Sequence, residues 1–105
     1  MSPADRRVYE KILFASLLMR ESWDGEKHRQ TLDRCLGWLL EPGDTEAPAY
    51  LQFEYLRGRD PDFIPFVRET LGLPDGPAGR AELEAKYGWR AAPHLAAARA
   101  RGGYQ

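Results

Sequence analysis

The sequence predicts an all-α fold, a compact single domain of five or six short helices joined by tight Gly/Pro turns. Three observations predict it. Apolar side chains recur at helical spacing in several stretches, most clearly Val8-Ile12-Ala15-Met19 and Leu32-Cys35-Leu36-Leu39. The 10 glycines and 8 prolines fall mostly between those stretches, where they punctuate rather than interrupt. The one segment with strand-like alternation, Tyr50 to Leu56, has no partner strand and is flanked by helix caps. At 105 residues and 12.0 kDa the chain fits one domain, predicted over 1–101, with 102–105 as a flexible C-terminal tail.

The first helix is expected from about Pro3 to Arg20. Ser2 suits its N-cap, Pro3 its first position and Asp5 the positive end of its dipole. Ile12 to Met19 is apolar apart from Ser16, so this helix is either central to the fold or half of an interface. A second helix is expected from about Gly25, capped by Asp24, to Glu41, where Pro42-Gly43 ends it. Thr45 can cap a third through Arg57, with Pro48 in its first turn and Gly58 as its stop. Two prolines follow closely, so a one-turn segment at Pro61 to Ile64 and a separate helix from Pro65 to Leu71, ended by Gly72, are predicted. Pro74-Asp75-Gly76-Pro77 reads as a turn. A fifth helix is expected over Ala78 to Tyr87, closed by a left-handed Gly88 with Trp89 folded back on Leu83. An alanine-rich last helix would span Ala92 to Arg101.

Charge and composition exclude several classes. Fifteen Lys and Arg face 16 Asp and Glu, a net charge of -1, which argues against bulk attraction to nucleic acid or anionic lipid. No apolar run approaches the roughly 18 residues of a spanning helix, and the charged start does not read as a cleavable signal. A soluble, cytoplasmic protein without membrane association is expected. Cys35 is the single cysteine, which removes an internal disulfide framework and any multi-cysteine zinc site.

The chemistry-bearing residues are sparse. Cys35 lies among Leu32, Leu36 and Leu39 and reads as a small core residue. His28 stands in a charged stretch and His94 after Pro93, far apart and without carboxylates at ligand spacing. Asp60 and Asp62, with Glu54 upstream, form the densest acidic grouping, but a helix start after Asp60-Pro61 asks for those residues. Gly76-Pro77-Ala78-Gly79-Arg80 has glycines and an arginine but lacks the preceding strand of a phosphate loop. The chain carries no nucleophile elbow, dinucleotide fingerprint or calcium loop. It is therefore not expected to be an enzyme or to need a cofactor or metal.

Two features point to binding. Tyr50 to Val67 holds nine large apolar residues in eighteen, more than short helices in so small a domain readily bury. Tyr50, Phe53, Phe63 and Phe66, with Arg57 and Arg59 beside them, are the expected contacts for another protein or a second copy, since aromatics and Arg are enriched at interface cores. The leading expectation is thus a non-enzymatic protein-interaction module: an adaptor, an assembly subunit or an inhibitor of a larger target. The second feature is at the C-terminus. Leu83, Tyr87, Gly88 and Trp89 follow the pattern Leu-x-x-x-aromatic-Gly-apolar. That is similar to the first helix and turn of bacterial helix-turn-helix domains, over about a quarter of the chain. The resemblance implies a nucleic-acid-binding regulator, with Lys86, Arg90, Arg99 and Arg101 as phosphate contacts. The chain departs from it where Pro93 and His94 stand in place of a continuous recognition helix with its apolar anchor. The charge balance runs the same way: residues 1–67 hold nine basic and twelve acidic side chains, and residues 68–105 hold six and four.

Overall fold

The computed structural model describes residues 1–21, 28–56, 59–60, 62–74 and 76–100, with side chains for all of these except 19–21, 28–31 and 91–100. Among them are five α-helices and no strand: α1 (Pro3–Glu21), α2 (His28–Leu39), α3 (Pro48–Leu56), α4 (Phe63–Leu71) and α5 (Pro77–Ala100), with one 3-10 turn at Asp44–Glu46. The radius of gyration, 13.3 Å, matches the roughly 13 Å of a folded domain of this length.

Helix α1 settles its own ambiguity. It packs against each of the other four helices, and Val8, Tyr9, Ile12, Leu13, Phe14, Ala15 and Leu18 are all buried. A helix apolar on nearly every side is the axis of the domain, because only neighbours all round remove that surface from water. Its start is as expected: Ser2 Oγ accepts from the Asp5 amide at 3.1 Å. Asp5 in turn accepts from the Ala49 amide at 3.0 Å, so one carboxylate ties the first turn of α1 to the unpaired N–H groups that open α3. Helix α2 lays Cys35, Leu36 and Leu39 against α1. Its expected cap, Asp24, lies outside the described residues.

Three boundaries differ from expectation, each for a local reason. Helix α3 begins at Pro48 rather than Thr45, since the proline ring drives Ala47 to extended backbone (φ -68°, ψ 142°) and detaches the 3-10 turn from the helix. Gly43, at φ +95°, supplies the reversal before that turn. Helix α4 is single, not a turn followed by a helix. Pro65 is its third residue, where no intrahelical N–H bond is required, and the first i to i-4 bond falls on Phe66 N–H to the Asp62 carbonyl at 2.9 Å. Phe63, Val67 and Leu71 form its buried stripe, and Gly72 (φ +68°) closes it.

The third difference is at α5, which runs unbroken from Pro77 to Ala100. Gly88 is helical rather than left-handed, and Trp89 is 69% exposed instead of folding onto Leu83. Gly88 in a helix costs about 1 kcal/mol relative to Ala. Tertiary anchors on both sides outweigh that: Lys86 and Tyr87 bond to Glu10, and Arg90 to Glu41, which holds the backbone in helical phase across the glycine. Without a turn at Gly88, the helix-turn-helix geometry is absent from these residues.

Candidate functional site

Helix α3 carries large apolar groups on opposite sides. Residues two apart in a helix are separated by about 200°, so the alternation Leu51, Phe53, Tyr55 that mimics a strand sends Phe53 one way and the others the reverse. Phe53 is 2% exposed and lies 5.7 Å, centroid to centroid, from Phe63, itself 3% exposed. Leu51 and Tyr55 are 56% and 68% exposed. The expectation that Phe53 and Phe63 face a partner is therefore corrected. Both are core, because each stands one helical turn from another buried residue (Ala49, Val67) and those stripes seat on α1. Tyr50 is half-buried with its ring 6.0 Å from Phe53.

Phe66 remains outside, 46% exposed, its ring perpendicular to that of Tyr9 with centroids 6.5 Å apart. The Tyr9 hydroxyl donates to Gln52 Oε1 of α3 at 2.8 Å, so Tyr9 and Gln52 join the outer sides of α3 and α4. Burial, with the Asp5 charge adding to it, pushes the Tyr9 phenol above its ordinary range. Arg59 stacks over the Tyr55 ring at 5.0 Å and donates to the Tyr55 carbonyl. Arg57 lies outside the described residues. The exposed group is then Leu51, Tyr55, Arg59 and Phe66. Leu51 and Tyr55 were not singled out from sequence, though their spacing of four already put both on one side of a helix.

Of the C-terminal basic residues, Lys86 and Arg90 are engaged within the chain. Lys86 Nζ lies 2.6 Å from Glu10 Oε2, and the Tyr87 hydroxyl donates to Glu10 Oε1 at 2.6 Å. Arg90 meets Glu41 at 3.0 Å and covers the Trp89 ring at 5.2 Å. The Arg99 side chain and Arg101 lie outside the described residues, as do the His28 and His94 side chains. A phosphate at Lys86 or Arg90 would compete with a carboxylate already in place.

These contacts belong to a cluster that sequence reading missed altogether. Lys11, completely buried in α1, places Nζ 2.5 Å from Asp44 and 3.3 Å from Glu41. Asp44, also buried, further accepts from Arg7 Nε at 3.0 Å and from the Glu41 amide at 2.9 Å. Burial pushes the Asp44 carboxyl up, but the three bonds it accepts outweigh that and leave it below its ordinary value. Arg90 and Lys11 likewise hold Glu41 low. The Tyr87 hydroxyl is raised by burial and by the Glu10 carboxylate it bonds. Every carboxylate oxygen of Glu10, Glu41 and Asp44 thus has a donor from the chain itself, which makes the cluster a clamp between α1, the 41–44 turn and α5.

Cys35 is fully buried, and burial pushes its thiol up to about 11, far from the thiolate a nucleophile needs. Asp60 accepts from the Asp62 amide at 2.9 Å, and Glu54 is exposed on α3. No three His, Cys, Asp or Glu among the described residues converge as metal ligands. No described helix is long and apolar enough to cross a membrane. Comparison of the chain with protein-family models, with curated proteins and with solved structures finds no match.

Proposed function

We propose that this protein is a small non-enzymatic interaction module that docks on another protein through the outer side of α3 and α4. The observation that carries the reading is the exposure of Leu51, Tyr55 and Phe66 in a domain whose interior is already filled by their neighbours Phe53, Phe63 and Val67. An apolar and aromatic group held outside a filled core, with an arginine stacked on it, has the composition of interface hot spots. Arg59 contributes a guanidinium pre-positioned by the Tyr55 ring, so little of its freedom is left to lose on binding. Adaptor, assembly subunit and inhibitor are all roles such a surface serves. With its single thiol buried, the proposal places the module in the cytoplasm.

The test is affinity purification from host lysate, with and without nuclease, of the wild-type chain and of the double variant Tyr55→Ala/Phe66→Ala. The reading expects a stoichiometric protein that survives nuclease and is lost from the variant, whose circular dichroism matches wild type. Equal capture by the variant would refute it. Partners that vanish with nuclease would favour the nucleic-acid alternative instead.

A further inference from the structure

The outer sides of α3 and α4 carry charge as well as apolar surface, and the described charge there is mostly negative. Glu54 stands three residues from Leu51, and Asp62 and Glu69 stand four before and three after Phe66. Those spacings put each carboxylate next to an exposed apolar side chain on the surface of its own helix. All three acids are exposed. Asp62 is the N-cap of α4, yet its side chain makes no cap bond. No described residue donates to or pairs with any of the three, in contrast with the satisfied carboxylates of Glu10, Glu41 and Asp44. Arg59 is turned onto its own chain, over the Tyr55 ring at 5.0 Å and bonded to the Tyr55 carbonyl. Arg68 projects from α4 about 200° round from Phe66.

We infer, resting on the docking reading, that the partner's contact segment is an amphipathic helix whose apolar stripe is flanked by Lys or Arg. Apolar residues at helical spacing cover Leu51, Tyr55 and Phe66, and the cations along the edges of that stripe meet Glu54, Asp62 and Glu69. Such pairs stay wet at the rim, so they select the partner and steer its approach more than they hold it. The described residues contain no strand, and so offer no sheet edge to which an extended segment could add. The same carboxylates repel a phosphate backbone or an anionic bilayer, which leaves a basic protein segment as the occupant of this side.

Two synthetic peptides of about 18 residues, five turns of helix, test this by nuclear magnetic resonance. Both carry one leucine stripe at i, i+3, i+4 and i+7, flanked by lysine in one peptide and by glutamate in the other. Titrated into the isotope-labelled chain, the lysine peptide should give saturable shifts at Leu51, Tyr55 and Phe66. It should bind about tenfold more tightly than the glutamate peptide at low salt, the equivalent of about 1.4 kcal/mol. That preference should shrink in about 1 M salt, where the Debye length is about 3 Å. Glu54→Gln/Asp62→Asn/Glu69→Gln should remove it while leaving the apolar contact. Equal binding of the two peptides at these residues of the wild-type chain overturns the basic partner, whether or not the variant folds, and leaves the docking reading standing. Shifts that fail to saturate or that centre elsewhere overturn it too, as does a folded triple variant that keeps the preference. Failure of docking itself shows separately, as equal lysate capture by wild type and Tyr55→Ala/Phe66→Ala.

Discussion

Replacing Lys11 by Met is the sharpest probe of what holds this domain together. Methionine keeps most of the apolar stem that Lys11 buries in α1 and removes only the charge. Asp44 then remains buried, 1% exposed, without its closest cation. Removing one member of a buried pair costs about 3–5 kcal/mol, mostly because the other charge is stranded. Arg7 at 3.0 Å and the Glu41 amide at 2.9 Å still serve Asp44, which places the expected loss near the lower bound, about 3 kcal/mol. In a domain of this size that lowers Tm by roughly 12–20 °C. Urea unfolding followed by circular dichroism at neutral pH measures it, and a cycle with Asp44→Asn isolates the pair. The same variant has a pH signature. The Asp44 carboxyl is lower in the folded state than in the unfolded chain, so at acid pH the unfolded state binds more protons and stability rises with pH. The contribution is complete above the ordinary carboxylate value, about 3.9, and disappears as pH falls through the lower folded value. Lys11→Met should therefore flatten the acid limb of the stability profile. A loss below about 0.5 kcal/mol, or a cycle additive within about 0.3 kcal/mol, would show that Lys11 and Asp44 are not coupled and that the clamp is decorative.

Three further outcomes are expected. Phe53→Ala and Phe63→Ala should each lose about 3–5 kcal/mol in urea unfolding, whereas Tyr55→Ala and Phe66→Ala should stay within about 1 kcal/mol; similar losses at all four would mean the exposed pair is core. Gly79→Ala and Gly88→Ala should shift Tm in opposite directions. The first drives a methyl onto the Pro74 carbonyl at 2.1 Å, while the second meets only the Glu84 side chain at 2.9 Å, which can swing away, and gains up to about 1 kcal/mol of helix propensity. Cys35, buried with its thiol raised to about 11, should resist alkylation at pH 8 until denaturant is added; rapid modification of the native protein would contradict its placement.

The helices were legible because their signals are local. Ser2-Pro3 and Gly72 act through neighbours in the chain, and the apolar spacing of α1 and α2 needs no knowledge of the partner surface. Reading failed where long-range contacts decide the outcome. Gly88 followed by Trp89 carries the local marks of a helix end, yet Glu10, 76 residues away from Lys86, helps keep it helical. Phe53 and Phe66 have the same chemistry in the sequence, and which one is core depends on how α3 and α4 seat on α1.

The clamp shows the same limit most plainly. Lys11, Glu41, Asp44 and Arg90 are ordinary charged residues in a balanced composition, and Glu10 and Lys11 even sit within the stretch of α1 that reads as apolar on neighbouring positions. Their meeting, with Lys11 and Asp44 buried, follows from the turns that bring 41–44 and α5 onto α1. Once Pro48 separates the 3-10 turn from α3, Asp44 is left facing Lys11, and burying either charge without the other costs about 3–5 kcal/mol. The pairing therefore works as a registration device as well as an attachment. Shifting α5 by a single residue would rotate Lys86, Tyr87 and Arg90 by about 100° and take from Glu10 and Glu41 the donors that α5 supplies. That selectivity fixes which side of α5 meets α1, and with it the burial of Leu83 and the exposure of Trp89.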